Sequence, residues 1–221
     1  MTFIVDKERL SRYAELIVGK GINPDPGQEV IIIAGLDEIE FTRMVVEKCY
    51  DHGAGKVILE WKDMPIERLA QLRQSEETLS AIENWELEKL KWRCEKLPAL
   101  IWLDSDDPDG MDGIDQGKRA RAQMARFPKV KPYRDEMENK FQWCIAGVPG
   151  VRWAAKVFPG IPEDEAVEKL WESILAASRV TEDPIKAKDY AQLLCYQAQL
   201  MAELPLEDPF AYTELVCKLM K

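Results

Sequence analysis

The stretch EVIIIA, residues Glu29–Ala34, decides the fold of this chain. Its four consecutive branched apolar residues predict a strand that is buried on both faces, as in a parallel sheet. A helical pattern over Asp37–Tyr50 and a second apolar strand over Lys56–Trp61 follow it. This strand–helix–strand order predicts a crossover unit, in which the two strands run parallel.

The same alternation of strands and helices continues to residue 148. We predict a helix over Lys7–Lys20 before the first strand, and polar helices over Pro65–Lys96 with breaks near Ser75 and Asn84. The third strand is Ala99–Leu103 and the fourth is Phe141–Val148. Between them we predict a helix over Gln116–Arg126, after which Pro128 and Pro132 interrupt the chain. The pattern predicts an α/β fold: a three-layer α/β/α sandwich with a mostly parallel sheet of four or more strands, plus C-terminal helices.

Composition and charge narrow the classes of function. The 221 residues include 40 acidic and 30 basic side chains, a net charge of −10, which opposes binding to nucleic acid or an anionic membrane. There is no apolar run of about 20 residues and no basic-then-apolar leader, so we expect a cytoplasmic protein. The five cysteines are an odd number without a CxxC pair, which favours reduced thiols over disulfides or a zinc site.

Two domains are expected. Residues 1–187 form the α/β domain, and residues 188–221 form a helical appendage with amphipathic helices over Asp189–Glu203 and Phe210–Met220.

The segment Phe141–Arg179 carries the strongest motif order. It has Trp143 in a strand, a Pro-Gly turn, Trp153-Ala154, Val157-Phe158-Pro159, and a helix that reads Glu165-Ala-Val-Glu-Lys-Leu-Trp-Glu172. Earlier motifs, such as Tyr13–Val18 and Arg119–Gln123, stand in a consistent order. Over roughly residues 8 to 187 the chain resembles the N-terminal domain of the dimetal aminopeptidases of the aminopeptidase T, aminopeptidase S and PepS type.

The resemblance implies a function that this chain would share only in part. Such enzymes release N-terminal amino acids from short peptides with two divalent ions, zinc or cobalt, held in their second domain. The chain has one histidine, His52, which we interpret as a helix-terminus residue. We therefore expect no catalytic and no metal-ligating residue here, and no activity of this chain alone. It would be a truncated gene product, a fragment or a split subunit, with a catalytic domain in trans or a homo-oligomer as its partner.

An acidic loop, Asp104–Asp115, follows the third strand and suggests a cation site. Its candidate ligands are Asp104, Asp106, Asp107 and Asp109, although neither register of the loop matches an EF-hand. A solvated loop with an Asp at the next helix start is the alternative. Because ligands bind at the carboxyl ends of parallel strands, a magnesium-dependent phosphoryl transfer on Asp104–Asp107 is a more distant one.

Four further residues are candidates for a contact with the missing domain or for a substrate channel: Trp143, Trp153, Phe158 and Arg119. Large aromatic residues fill cores as readily as interfaces, so core packing is the alternative for the three aromatic ones. A stand-alone binding or assembly module remains the competing function.

Overall fold

The computed structural model describes residues 6–180. The chain divides into two units, residues 1–175 and 176–221, and all four strands lie in the first. The expected helices over residues 189–203 and 210–220, the expected domain boundary at 187, and two of the cysteines, Cys195 and Cys217, lie outside the described residues. Within the described part, no helix combines the length and apolarity needed to cross a bilayer.

The elements alternate as the sequence predicts. The strands are β1 (Glu29–Gly35), β2 (Lys56–Lys62), β3 (Ala99–Asp104) and β4 (Trp143–Gly147). The helices are α1 (Lys7–Leu16), α2 (Ile39–Asp51), α3 (Met64–Arg73), α4 (Glu76–Ser80), α5 (Asn84–Lys96), α6 (Gln116–Met137), α7 (Val151–Val157) and α8 (Glu163–Ala177).

The four strands form one parallel sheet in the order β2-β1-β3-β4. The predicted α/β class and parallel sheet are confirmed. β1 lies between two strands, with Ile31 opposite Ile58 of β2 and Leu100 of β3. Its successive residues Val30–Ile32 are all buried, as expected for a strand whose two faces are both covered by helices. Because β2 and β3 lie on opposite sides of β1, the point where the strand order reverses is between β1 and β3.

The first face of the sheet is covered by α1, α2 and α8. Three aromatic rings join these helices: Tyr13 stacks on Phe41 with centroids 5.5 Å apart, and Trp171 meets Phe41 edge-on at 5.1 Å. At the surface beside them, both guanidinium nitrogens of Arg9 donate to the Glu172 carboxylate at 2.6 and 2.9 Å. The residues of β1 and β3 that point to this face are buried in the core.

The second face is covered by α3 to α6 and is more polar. Lys89 of α5 pairs with Glu60 of β2 at 2.7 Å, and Lys118 of α6 donates to the carbonyls of Gln71 and Gln74 at 2.8 and 2.6 Å. No residue of α3, α4 or α5 is fully buried. Helices on this side therefore hold to one another and to the sheet largely through polar contacts.

The prediction that Pro128 and Pro132 end the sixth helix is wrong, because α6 runs unbroken from Gln116 to Met137. The two prolines are four residues apart, so they share one side of the helix, and both are exposed. Carbonyls left without a partner on that side can bind water. Beyond the prolines the helix is anchored by the buried Met137 and by the Tyr133 carbonyl, which accepts from the Cys94 thiol.

The first helix also differs from its prediction. Regular α-helix ends at Leu16, and the chain continues as a π-helical turn over Ile17–Ile22 until Asn23 adopts a left-handed conformation. Gly21 lies against β4 here, since a Cβ at this position would be 2.7 Å from the Cys144 sulfur. Gly21 thus permits a close approach to the sheet, and Gly19 permits a close approach to His52 at the end of α2, so neither residue ends the helix at Lys20.

We predict that Trp171→Ala destabilises the fold by about 3–5 kcal/mol, because it removes the buried ring that joins α8 to α1 and α2. The measurement is the free energy of unfolding in urea. Trp85→Ala is the matched control, since Trp85 is 67% exposed and its loss should cost less than about 1 kcal/mol. Equal losses in the two variants would contradict the role given to the aromatic cluster.

Candidate functional site

The carboxyl edge of the sheet, between β1 and β3, is where a parallel α/β fold would bind a ligand. In this chain Ser105 occupies that point. A Cβ at Gly35 would lie 2.3 Å from the Ser105 hydroxyl oxygen, and one at Gly150 would lie 2.3 Å from the Ser105 carbonyl oxygen. The segments that end β1 and follow β3 and β4 are therefore in close contact at Ser105.

The acidic loop after β3 is held by internal contacts. Asp106 accepts from Lys62 at 3.1 Å, and Asp109 pairs with Lys156, a hydrogen bond that raises the pKa of the lysine. Asp104 and Asp107 each accept a backbone N–H two residues further on, at 3.3 and 3.0 Å. The loop ends at Asp115, which caps α6 by accepting from the Lys118 N–H at 2.9 Å.

These contacts bear on the cation and phosphoryl-transfer hypotheses. Two of the four candidate carboxylates, Asp106 and Asp109, face lysines, and the other two face the loop's own backbone. Nothing in these contacts gathers the four carboxylates around one point. The geometry thus favours the alternative interpretation, a structured, solvated loop with a helix cap at its end.

No site for a metal pair is formed by residues 6–180, because no three His, Cys, Asp or Glu side chains in that range are grouped so that they could hold an ion. His52 stands at the C-terminal cap of α2, as its interpretation requires, and its Nε2 lies 2.6 Å from Glu15. The described residues do not fit a dimetal centre.

The cysteines of the described residues, Cys49, Cys94 and Cys144, are free thiols. Burial raises the pKa of Cys49 to about 12.

One buried acid escaped the sequence analysis. Glu38 lies between β1 and α2, is 7% exposed, and has a pKa raised to about 8 by burial and, second, by the adjacent Asp37. In the sequence it is simply one of two acids at a helix start, where acids are common. No signal in the sequence distinguishes the buried Glu38 from Asp37.

The four residues predicted for a domain contact or channel fall in different places. Trp153 and Phe158 pack against Ala154, Ala166 and Leu170 in a small cluster between α7 and α8. Arg119 is half-buried in the first turn of α6. Trp143 projects from β4 and is 63% exposed. Only Trp153 and Phe158 are brought together, and of the four only Trp143 presents a largely free surface.

Comparison with known proteins identifies the family. The thermophilic metalloprotease (M29) family matches residues 6–205. This chain belongs to that family. The resemblance found in the Phe141–Arg179 motifs is confirmed, and the match extends through the whole described α/β unit of the metalloprotease chain.

Curated M29 relatives are aminopeptidases about twice as long as the matched region. Aminopeptidase AmpS of Bacillus subtilis is 34% identical over 182 residues, which are 81% of this chain and 44% of that protein. Aminopeptidase PepS of Streptococcus thermophilus is 32% identical over 201 residues, 89% of this chain and 49% of that protein. This M29 chain spans about half the length of the relatives it matches.

A solved structure agrees with these matches. The wild-type AmpT from Thermus thermophilus is 30% identical and superposes with a TM-score of 0.71, covering 87% of this chain and 49% of its own. The three-layer fold of the M29 chain is therefore the fold of about half of that structure.

Glu38 gives a pH prediction. Its carboxyl is protonated in the folded state up to about pH 8 but ionises near 4.5 when unfolded, so stability falls as pH rises through that window. We expect Glu38→Gln to lack this loss and to gain on the order of 3 kcal/mol on the wild type between pH 5 and pH 9. The measurement is urea unfolding across that range, with Glu47→Gln at an exposed position of α2 as control. Parallel pH profiles for wild type and Glu38→Gln would contradict the burial argument.

The close approach of Gly150 to the Ser105 backbone gives a second prediction. Gly150 has φ −75°, which alanine adopts freely, so Gly150→Ala tests only the contact with the Ser105 backbone. We expect a loss of about 1–3 kcal/mol in unfolding free energy, as for overpacking in a rigid site. Gly117→Ala in the first turn of α6 is the control, because its Cβ would meet only the movable ends of Arg121 and Asp115. An unchanged free energy of unfolding in Gly150→Ala would mean that the loops at Ser105 can move apart to admit the extra Cβ.

Proposed function

We propose that this chain is the N-terminal, non-catalytic half of a metal-dependent aminopeptidase that removes N-terminal amino acids from peptides. The observation that carries the proposal is the extent of the match. The family covers nearly all of the described residues, yet the chain accounts for only 44–49% of its aminopeptidase relatives. A domain that shares the fold without the second half can contribute shape and contacts to the enzyme.

The chemistry of the donor set supports placing the metals elsewhere. A two-metal peptidase needs several nitrogen and oxygen ligands converging on ions about 3.5–4 Å apart. The described residues offer one histidine, which is engaged with Glu15, and no group of three potential ligands. In this proposal the two divalent ions, zinc or cobalt, belong to the other half, where they would polarise the peptide carbonyl and activate water.

The role left to this half is assembly and access. The segments at the carboxyl edge of its sheet are in close contact at Ser105 and its first face is well buried, so it is suited to act as a wall instead of a reaction site. We propose that it helps enclose the active site of the parent enzyme and limits entry to short peptides. Its partner is then a metal-binding domain, in the same polypeptide or in trans, with a homo-oligomer as the other possibility.

We predict that the purified chain hydrolyses no aminoacyl-p-nitroanilide after incubation with zinc or cobalt, because it lacks a ligand set for the ions. Full-length AmpS of Bacillus subtilis is the positive control for the assay. Metal content, measured by mass spectrometry after gel filtration, should stay well below one ion per chain and should not change in His52→Ala. Stoichiometric metal together with turnover would contradict the proposal.

A further inference from the structure

The edge of the second sheet face carries a group of exposed apolar side chains. Trp143 and Ile145 of β4 are 63% and 62% exposed, whereas their register partners in β3, Leu100 and Trp102, are half-buried. Between them Cys144 points to the opposite face, against Gly21. The helices of the second face thus stop short of β4.

Helix α6 packs on the other helices of the second face. Its Lys118, Arg121 and Arg126 bond to α3, to the Gln74 carbonyl after it, to α4 and to α5. By helical periodicity Phe127 lies on the opposite side of α6 from these three residues, and it is exposed. We define the β4 surface as Trp143 and Ile145.

The β4 surface is unusual for a parallel sheet. Such sheets are normally covered on both faces, and exposed edge strands are normally protected by charges, prolines or bulges. The sequence of β4, Trp143–Gly147, contains none of the charged residues or prolines that would protect it. The two exposed side chains are apolar, and tryptophan is enriched at the buried centres of interfaces.

We propose that the β4 surface is the contact for the metal-binding half of the family's aminopeptidase. This inference rests on the proposed function and names the surface that the function requires. About half of the AmpT chain lies outside the region that this chain matches, so a family member of that length has a further segment of similar size that can cover the surface. A second copy of this chain is the alternative occupant, which light scattering tests below.

The test is copurification. The probe is the unmatched half of AmpS, PepS or AmpT, chosen because it copurifies with that relative's own matched half when the two are co-expressed. It is co-expressed with the tagged full chain as wild type, as the double variant Trp143→Gln, Ile145→Thr, or as the control Trp85→Gln. Trp85 lies on α5 and is 67% exposed, so it matches Trp143 in type and exposure. Circular dichroism checks that each variant is folded.

We expect the wild type and Trp85→Gln to retain an equimolar amount of the probe, and the double variant to retain about tenfold less. No retention by the wild type, or equal retention by all three chains, overturns the proposal. A wild-type dimer in light scattering that the double variant abolishes also overturns it, because the surface would then bind a second copy.

Hydrolysis of an aminoacyl-p-nitroanilide by the copurified complex tests the proposed function separately. Retention that depends on Trp143 and Ile145 without turnover supports the surface and counts against the function. Equal hydrolysis by the complexes of the wild type and of the double variant supports the proposed function and overturns the proposed surface.

Discussion

The contact among Tyr13, Phe41 and Trp171 is the interaction on which the rest of the structure depends. The three rings come from α1, α2 and α8, elements separated by most of the chain, and they meet over the first face of the sheet. The Tyr13 hydroxyl also donates to the Gly147 carbonyl at 3.1 Å, at the end of β4. One cluster therefore fixes three helices and the last strand, and it does so with apolar area that no surface ion pair could replace.

The two faces of the sheet differ in polarity and in packing. The first face is apolar and closed, and the second contains Glu60 with Lys89 and a partly buried Arg93, whose pKa burial lowers. Buried charge stabilises a fold weakly because desolvation offsets the attraction. The second face is thus the less strongly packed side, and it is also the side on which β4 is left uncovered.

The sequence predicted the architecture correctly where the residues within one element determine its conformation. The apolar run of β1 and the alternation around it indicated the parallel sheet, and the Trp143–Glu172 motifs indicated the family. The sequence-based predictions were wrong where contacts between residues far apart in the chain override local conformational preferences. The prolines of α6 predicted a break, but packing of Met137 and of Tyr133 beyond them keeps the helix continuous. The first helix was predicted to end at Lys20, but Gly21 allows close contact with Cys144 and the chain stays helical to Ile22.

For the candidate site, the sequence by itself determined the residue types from which a metal site could be built. With one histidine in the chain, it predicted that the family's dimetal centre lies elsewhere. Only the tertiary structure decided how the remaining groups are used. It placed Glu38 in the core, brought Ser105 against Gly35 and Gly150, packed the half-buried Trp153 and Phe158 between helices, and left Trp143 exposed. The reason is that burial depends on which elements meet, and residues far apart in the chain determine those meetings.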